Sequence, residues 1–216
     1  MKKLKIYLVD DHSLFREGLR FLLSNLDFIE TIYEAENGEQ FIAGLKENPA
    51  DIALLDIEMP VMNGVEAAKS ALKLFPELKI IALSMYSEEN YYVSMIDAGA
   101  SGFLLKNSKF SEVKKAVLNV WEGRSYFSPE IVQSVISRFS NERDRPGKSD
   151  NIDITNREME ILEFICKGLS NAEIADKISI SKRTVDKHRE NLLLKTGSKN
   201  TASLVIFAIK HGYFEV

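Results

Sequence analysis

Along the first 125 residues the apolar positions follow two rhythms in alternation. Residues 4–9, 52–55, 80–83 and 102–105 are short runs, apolar at nearly every position and bounded by turn signals, which predicts strands buried on both faces of a parallel sheet. A further strand is predicted near 29–35. Between the runs, apolar residues recur at helical spacing. Leu14, Phe15, Gly18, Leu19, Leu22, Leu23 and Leu26 predict a helix with one buried stripe, and Val65, Ala68, Leu72 and Phe75 predict another that Pro76 stops. A helix follows Gly38, one carrying Tyr92, Met95 and Ile96 fits between a cap at Ser87 and a stop at Gly99, and Val113, Ala116, Val117, Val120 and Trp121 mark a fifth. Five strand-helix units predict an α/β fold with a doubly wound, five-stranded parallel sheet over residues 1–125.

Beyond this the rhythm changes. Ile131, Val132, Val135, Ile136 and Phe139 predict one short helix, and residues 140–151 contain no apolar side chain and include Pro146-Gly147, so 126–153 reads as a linker with a short helix. From 154 to 216 the pattern is of four short helices. Thr155-Asn156-Arg157-Glu158 and Ser170-Asn171-Ala172-Glu173 fit the capping box, Ser181 and Asn200 supply two more caps, and Gly197 and Gly212 supply stops. The second and third helices are joined by only a few residues, the form of a helix-turn-helix.

At 216 residues there is room for two cores. No apolar run is long enough to cross a bilayer, and the basic start at Lys2 and Lys3 runs straight into a strand, so a cytoplasmic protein is expected. Cys166 is the single cysteine, which excludes an intrachain disulfide; its neighbours Leu162, Ile165 and Leu169 place it on an apolar helix face. The formal net charge of −4 is unevenly spread: residues 1–126 hold 14 basic and 19 acidic side chains, residues 152–216 hold 10 and 9.

The acid gathers where the predicted strands end. Asp10 and Asp11 follow the first, Asp56 closes the third, Ser84 ends the fourth and Lys106 follows the fifth. In open α/β sheets this edge is where ligands sit. Three crowded carboxylates repel unless a cation joins them, and oxygen donors at a site that also handles phosphate favour Mg²⁺. Dinucleotide-binding and P-loop domains share the alternation, but Asp10-Asp11-His12-Ser13 has neither the glycine-rich turn nor the Gly-Lys-Ser/Thr they need. His12, in a loop at a helix start, reads as a solvated residue.

Asp10/Asp11, Asp56 followed by Met59-Pro60 and Asn63-Gly64, Ser84 and Lys106 together resemble the receiver domain of two-component response regulators. The resemblance implies that Asp56 accepts a phosphoryl group. Mg²⁺ would be held by Asp10, Asp11, Asp56 and the backbone carbonyl of Glu58, with Ser84 and Lys106 on the phosphoryl oxygens. Asn107 stands where many receivers have proline after the lysine.

In the third helix of the second region, about 100° per residue puts Val185, His188 and Leu192 on one side and Arg183, Asp186, Lys187, Glu190, Asn191 and Leu194 on the other. Residues 181–199 hold six basic and two acidic side chains, which suits a DNA major groove with flanking cations on phosphates, or a solvated helix. Residues 155–212, including Gly168-Leu169-Ser170-Asn171-Ala172-Glu173-Ile174-Ala175 and Thr184-Val185-Asp186-Lys187-His188, resemble the LuxR/NarL-type DNA-binding domain. Candidate DNA contacts are Lys182, Arg183, Thr184, Lys187, Asn191 and Lys195; Asp186 departs from a position often basic in that family.

The combination is that of a NarL/FixJ-type response regulator, not an enzyme. A sensor histidine kinase, promoter DNA, RNA polymerase and a second copy, paired on DNA or on phosphorylation, are the expected partners. The resemblance also implies that the unphosphorylated receiver covers the helix starting near Ser181. An aspartyl-phosphate enzyme and a phosphorylation-switched interaction module remain the alternatives, and binding to promoter DNA separates them.

Overall fold

The computed structural model describes residues 3–85, 89–127 and 152–214. The first region runs β1 (Leu4–Val9), α1 (Ser13–Ser24), β2 (Ile29–Ala35), α2 (Gly38–Glu47), β3 (Ile52–Asp56), α3 (Gly64–Leu74), β4 (Lys79–Ser84), α4 (Glu89–Ala98), β5 (Gly102–Leu105), α5 (Phe110–Trp121) and β6 (Tyr126–Phe127). All strand pairs are parallel, in the order β2-β1-β3-β4-β5-β6. β3 is buried throughout, with Ala53 and Leu55 in the core on one side of the sheet and Ile52 and Leu54 in the core on the other. A strand with no solvent face keeps no polar alternation, which is why its sequence is apolar at every position.

Two expectations need correction. The sheet has six strands, because Tyr126 and Phe127 pair with Gly102 and Phe103 at the edge; two residues leave no periodicity to read. The α1 stripe is narrower than its leucines suggest. Leu19 and Leu23 are buried, but Leu14 is 84% exposed and Leu22 41% exposed, since the seven positions span more than one helix face. Arg16 is buried instead, donating to the Asp10 carbonyl at 2.5 Å and pairing with Glu34 and Glu36. The cap at Ser87 and the short helix of residues 131–139 lie outside the described residues.

The second region packs α6 (Asn156–Cys166), α7 (Asn171–Lys177), α8 (Lys182–Thr196) and α9 (Thr201–Lys210) around Ile161, Leu162, Ile165, Ile174, Val185, Leu192, Leu204 and Ala208. Both capping boxes form: Thr155 with Glu158 starts α6, and Ser170 with Glu173 starts α7. Ser181 and Asn200 cap α8 and α9, and Gly197 closes α8 in the left-handed conformation. Burial, then Glu163, pushes the Cys166 thiol up to about 12, so it packs as an inert side chain.

The two regions touch along a seam made mostly of side chains donating to backbone carbonyls, joined by an ion pair from Arg124 to Glu173 at 3.5 Å. Lys199 Nζ reaches Asp97 O at the end of α4 (2.5 Å), Asn200 Nδ2 reaches Ala100 O (2.8 Å), and Arg189 Nη2 reaches Gly123 O just past α5. Ile206 of α9 packs against the first core beside Val93.

Candidate functional site

Parallel registry of β1 with β3, β3 with β4, and β4 with β5 brings four strand ends to one edge. Lys106 Nζ stands 2.7 Å from Asp10 Oδ2 and 2.8 Å from Asp56 Oδ2, all three side chains being buried. The second oxygens are held by main chain: Asp56 Oδ1 accepts the Ile57 N–H at 2.8 Å, and Asp10 Oδ1 accepts the His12 N–H at 2.9 Å. Ser84, also buried, ends β4 with its carbonyl accepting the Lys106 backbone N–H at 2.7 Å. Burial pushes the Asp56 carboxyl above its usual range; Lys106 pulls it down, Asp10 pushes it further up, and the net is upward. For Lys106 burial acts downward, but Asp10 and Asp56 together outweigh it and raise the ammonium.

One ammonium thus faces two buried carboxylates with a third, Asp11, beside them. That leaves the pocket short of positive charge, and its carboxylate donors suit a hard divalent cation. Carboxylate oxygens of Asp10, Asp11 and Asp56 and a ring nitrogen of His12 all lie within 4.8 Å of one another. His12, read from the sequence as a solvated residue, borders this cluster. Its side chain is 62% exposed, yet Nδ1 is 3.2 Å from Asp11 Oδ1 and 3.4 Å from Lys106 Nζ. Adjacency to two aspartates was its only signal.

The loop carrying Glu58 folds tightly over the end of β3. Gly64 N–H donates to Ile57 O at 2.8 Å, and a Cβ on Gly64 would come within 2.1 Å of the Asp56 carbonyl, which only glycine avoids. Val61 takes the left-handed region at φ 70°, and Asn63 caps α3. The Asn63-Gly64 pair of the sequence is therefore what lets the loop close beside Asp56.

On α8, Lys182, Arg183, Thr184, Asp186, Lys187 and Glu190 are exposed, Asn191 is half-buried, and Val185, Arg189 and Leu192 are buried. The receiver meets the helix it was expected to cover at Arg189 and also holds the start of α9, while Lys182, Arg183, Thr184 and Lys187 stay exposed. His188 lies half-buried on the core edge, as its helical angle predicts.

Lys195 is turned away from that face. Its Nζ sits 2.7 Å from Glu158 Oε2 and 2.8 Å from Asp153 O, joining α8 to the cap of α6. For Glu158, burial acts upward but Lys195, then the Thr155 N–H and hydroxyl, hold the carboxyl below its usual range. A depressed carboxylate stabilises the fold above its unfolded value, and that stability is lost as pH falls through the folded one. Lys195→Ala should therefore cost about 1–3 kcal/mol of thermal stability at neutral pH, by stranding a buried carboxylate, and flatten the acid limb of a pH-melting series. A DNA-binding salt slope lowered by about 1 with unchanged melting would return Lys195 to the phosphates.

Comparison with known proteins agrees with this arrangement. The response regulator receiver domain family matches residues 6–118, and the family of bacterial regulatory proteins, luxR family, matches residues 153–208. The transcriptional regulatory protein DegU of Brevibacillus brevis is 31% identical, covering 99% of this chain and 96% of its own. The oxygen regulatory protein NreC of Staphylococcus carnosus is 32% identical, covering 96% and 97%. Among solved structures, the response regulator ChrA of a heme-sensing two-component system superimposes with a TM-score of 0.54 at 30% identity, covering 99% of this chain and 100% of that one. The chain belongs to the two-component response regulators of NarL/FixJ type, transcription regulators in which a receiver is joined to a LuxR-type helix-turn-helix DNA-binding domain.

Proposed function

We propose that Asp56 accepts a phosphoryl group from a sensor histidine kinase in the cytoplasm, and that the event alters how α8 engages promoter DNA. The observation that carries this reading is Lys106 Nζ bridging Asp10 and Asp56 at the sheet edge. A carboxylate oxygen of Asp56 attacks phosphorus as the bond to the donor's imidazole nitrogen breaks, and the pair of electrons leaves on that nitrogen. Lys106 and the Ser84 hydroxyl follow the oxygens of the arriving group. Asp10, Asp11, Asp56 and the Glu58 carbonyl would hold Mg²⁺, which supplies the charge that gathers phosphoryl oxygens.

Ser84 leads within five residues to α4, whose end holds Lys199 and Asn200 of the second region. Movement at Ser84 can therefore loosen the seam and free α9, the expected pairing helix, for a second copy on DNA; RNA polymerase is then a partner at the promoter. Among the described residues no helix is long and apolar enough to cross a membrane.

Lys106→Ala tests the division of roles. It should still bind Mg²⁺, measured by titration calorimetry, while phosphorylation by a small-molecule donor such as acetyl phosphate no longer raises DNA affinity. Loss of Mg²⁺ binding in a folded Lys106→Ala chain would show that the ammonium organises the metal site instead.

A further inference from the structure

The exposed face of α8 carries two carboxylates, Asp186 and Glu190, where a polyanion has to lie. Their surroundings differ. Glu190 Oε2 accepts from Lys187 Nζ at 2.8 Å, a pair between exposed side chains that exchanges readily for other partners. Asp186 is built in. Its Oδ1 accepts from Asn171 Nδ2 at 2.6 Å, and Asn171 Oδ1 accepts from Arg189 Nη1 at 2.6 Å. A guanidinium only donates, so Arg189 fixes which end of the Asn171 amide faces it and turns the NH₂ toward Asp186. Arg189 is only 8% exposed, and Asp186 offsets part of the cost of burying it. The first residue of α7, Asn171, and one residue of α8, Arg189, thus hold the Asp186 carboxylate still at the outer edge of the helix-turn-helix.

We propose that Asp186 is a base-reading residue, set by Asn171 and Arg189 to accept a hydrogen bond from the exocyclic amino group of a cytosine in the major groove. The proposal rests on the assignment of α8 as the DNA-reading helix and adds what that helix selects. An ionised carboxylate accepts and never donates, and in the major groove only cytosine N4 and adenine N6 donate. Adenine sets its N7 acceptor beside N6, where it repels a second carboxylate oxygen, whereas the edge of cytosine beside N4 is a C–H. Guanine and thymine offer acceptors to an anion and are rejected. Repulsion from phosphate weakens binding everywhere else, so the carboxylate raises the contrast between sites. Rigid placement matters because a free carboxylate would turn to water or to Arg183 and Lys187 nearby on the helix.

The test is selection of binding sites from random duplexes by the full-length chain treated with acetyl phosphate, comparing wild type with Asp186→Ala, Asp186→Asn and Asn171→Ala. Wild type should enrich a half-site with one position at which cytosine is favoured about tenfold. Asp186→Ala should flatten that column alone and strengthen binding to random DNA. Asn171→Ala should weaken the same column, and the isosteric Asp186→Asn should turn it toward adenine, which Asn reads through N6 and N7. Columns unchanged in both Asp186 variants, or a flattened column that was not cytosine, would overturn the proposal. A wild-type selection that enriches no site would instead overturn the assignment of α8 as the reading helix.

Discussion

Asp56→Asn should leave the chain folded and unable to retain a phosphoryl group from any donor. Wild type treated with acetyl phosphate and Mg²⁺ should gain a label that hydroxylamine removes, on the peptide containing Asp56, and the variant should stay at background. The amide keeps the shape of the carboxyl but has no anionic oxygen to attack phosphorus. The fold should tolerate the change for two reasons. Burial and Asp10 already push the Asp56 carboxyl toward its neutral form, so a neutral amide suits the site. Lys106 also keeps Asp10 at 2.7 Å, so its ammonium is not stranded. A raised carboxyl contributes stability only below its unfolded value and detracts as pH rises through the folded one, so the variant should melt no lower than wild type at neutral pH. Continued labelling of Asp56→Asn, with the same hydroxylamine sensitivity, would move the acceptor to another side chain.

The second large effect concerns the seam. Arg189→Ala removes a charged donor from the Gly123 carbonyl, and a hydrogen bond to a charged group contributes about 1.5–3 kcal/mol. If that is lost from the closed arrangement alone, the open population rises by roughly ten- to a hundredfold, since each 1.4 kcal/mol is a factor of ten. Small-angle scattering of the unphosphorylated variant should show a larger radius of gyration, and its affinity for random DNA should rise toward that of phosphorylated wild type. Lys199→Ala, on a more exposed part of the same seam, should move both readings the same way by less. A scattering profile of Arg189→Ala that superimposes on wild type would show that Arg189 does not hold the regions together.

What could be read from the sequence follows how local each signal is. The run Ile52, Ala53, Leu54 and Leu55 marks a central strand by itself, and with it the place of Asp56. Asp10, Ser84 and Lys106 follow because parallel strands end on one edge whatever their side chains. Tertiary choices were not legible. Nothing near Lys195 in the sequence announces Glu158, 37 residues earlier, and a basic residue on a basic helix reads as a phosphate contact until its partner is seen. Leu14 and Leu22 looked like core because leucine usually is, whereas exposure depends on how wide a face the sheet covers. The seam was the least legible part: it meets α8 at Arg189, and most of its acceptors are peptide carbonyls, which no residue type announces.

That last feature bears on how such a chain can be recombined. Asp97, Ala100 and Gly123 contribute main-chain oxygen, which every residue type possesses, to Arg189, Lys199 and Asn200 of the DNA-binding region, while Arg124 of the receiver side reaches Glu173 at 3.5 Å. Most of the polar address is thus written on the DNA-binding region, with Arg124 the receiver's contribution. A foreign receiver with the same backbone path at the ends of α4 and α5 would present the same three oxygens, so domain exchange between distant regulators can preserve these three bonds without matched substitutions on the receiver side, and keeps the contact to Glu173 where a cation stands in place of Arg124.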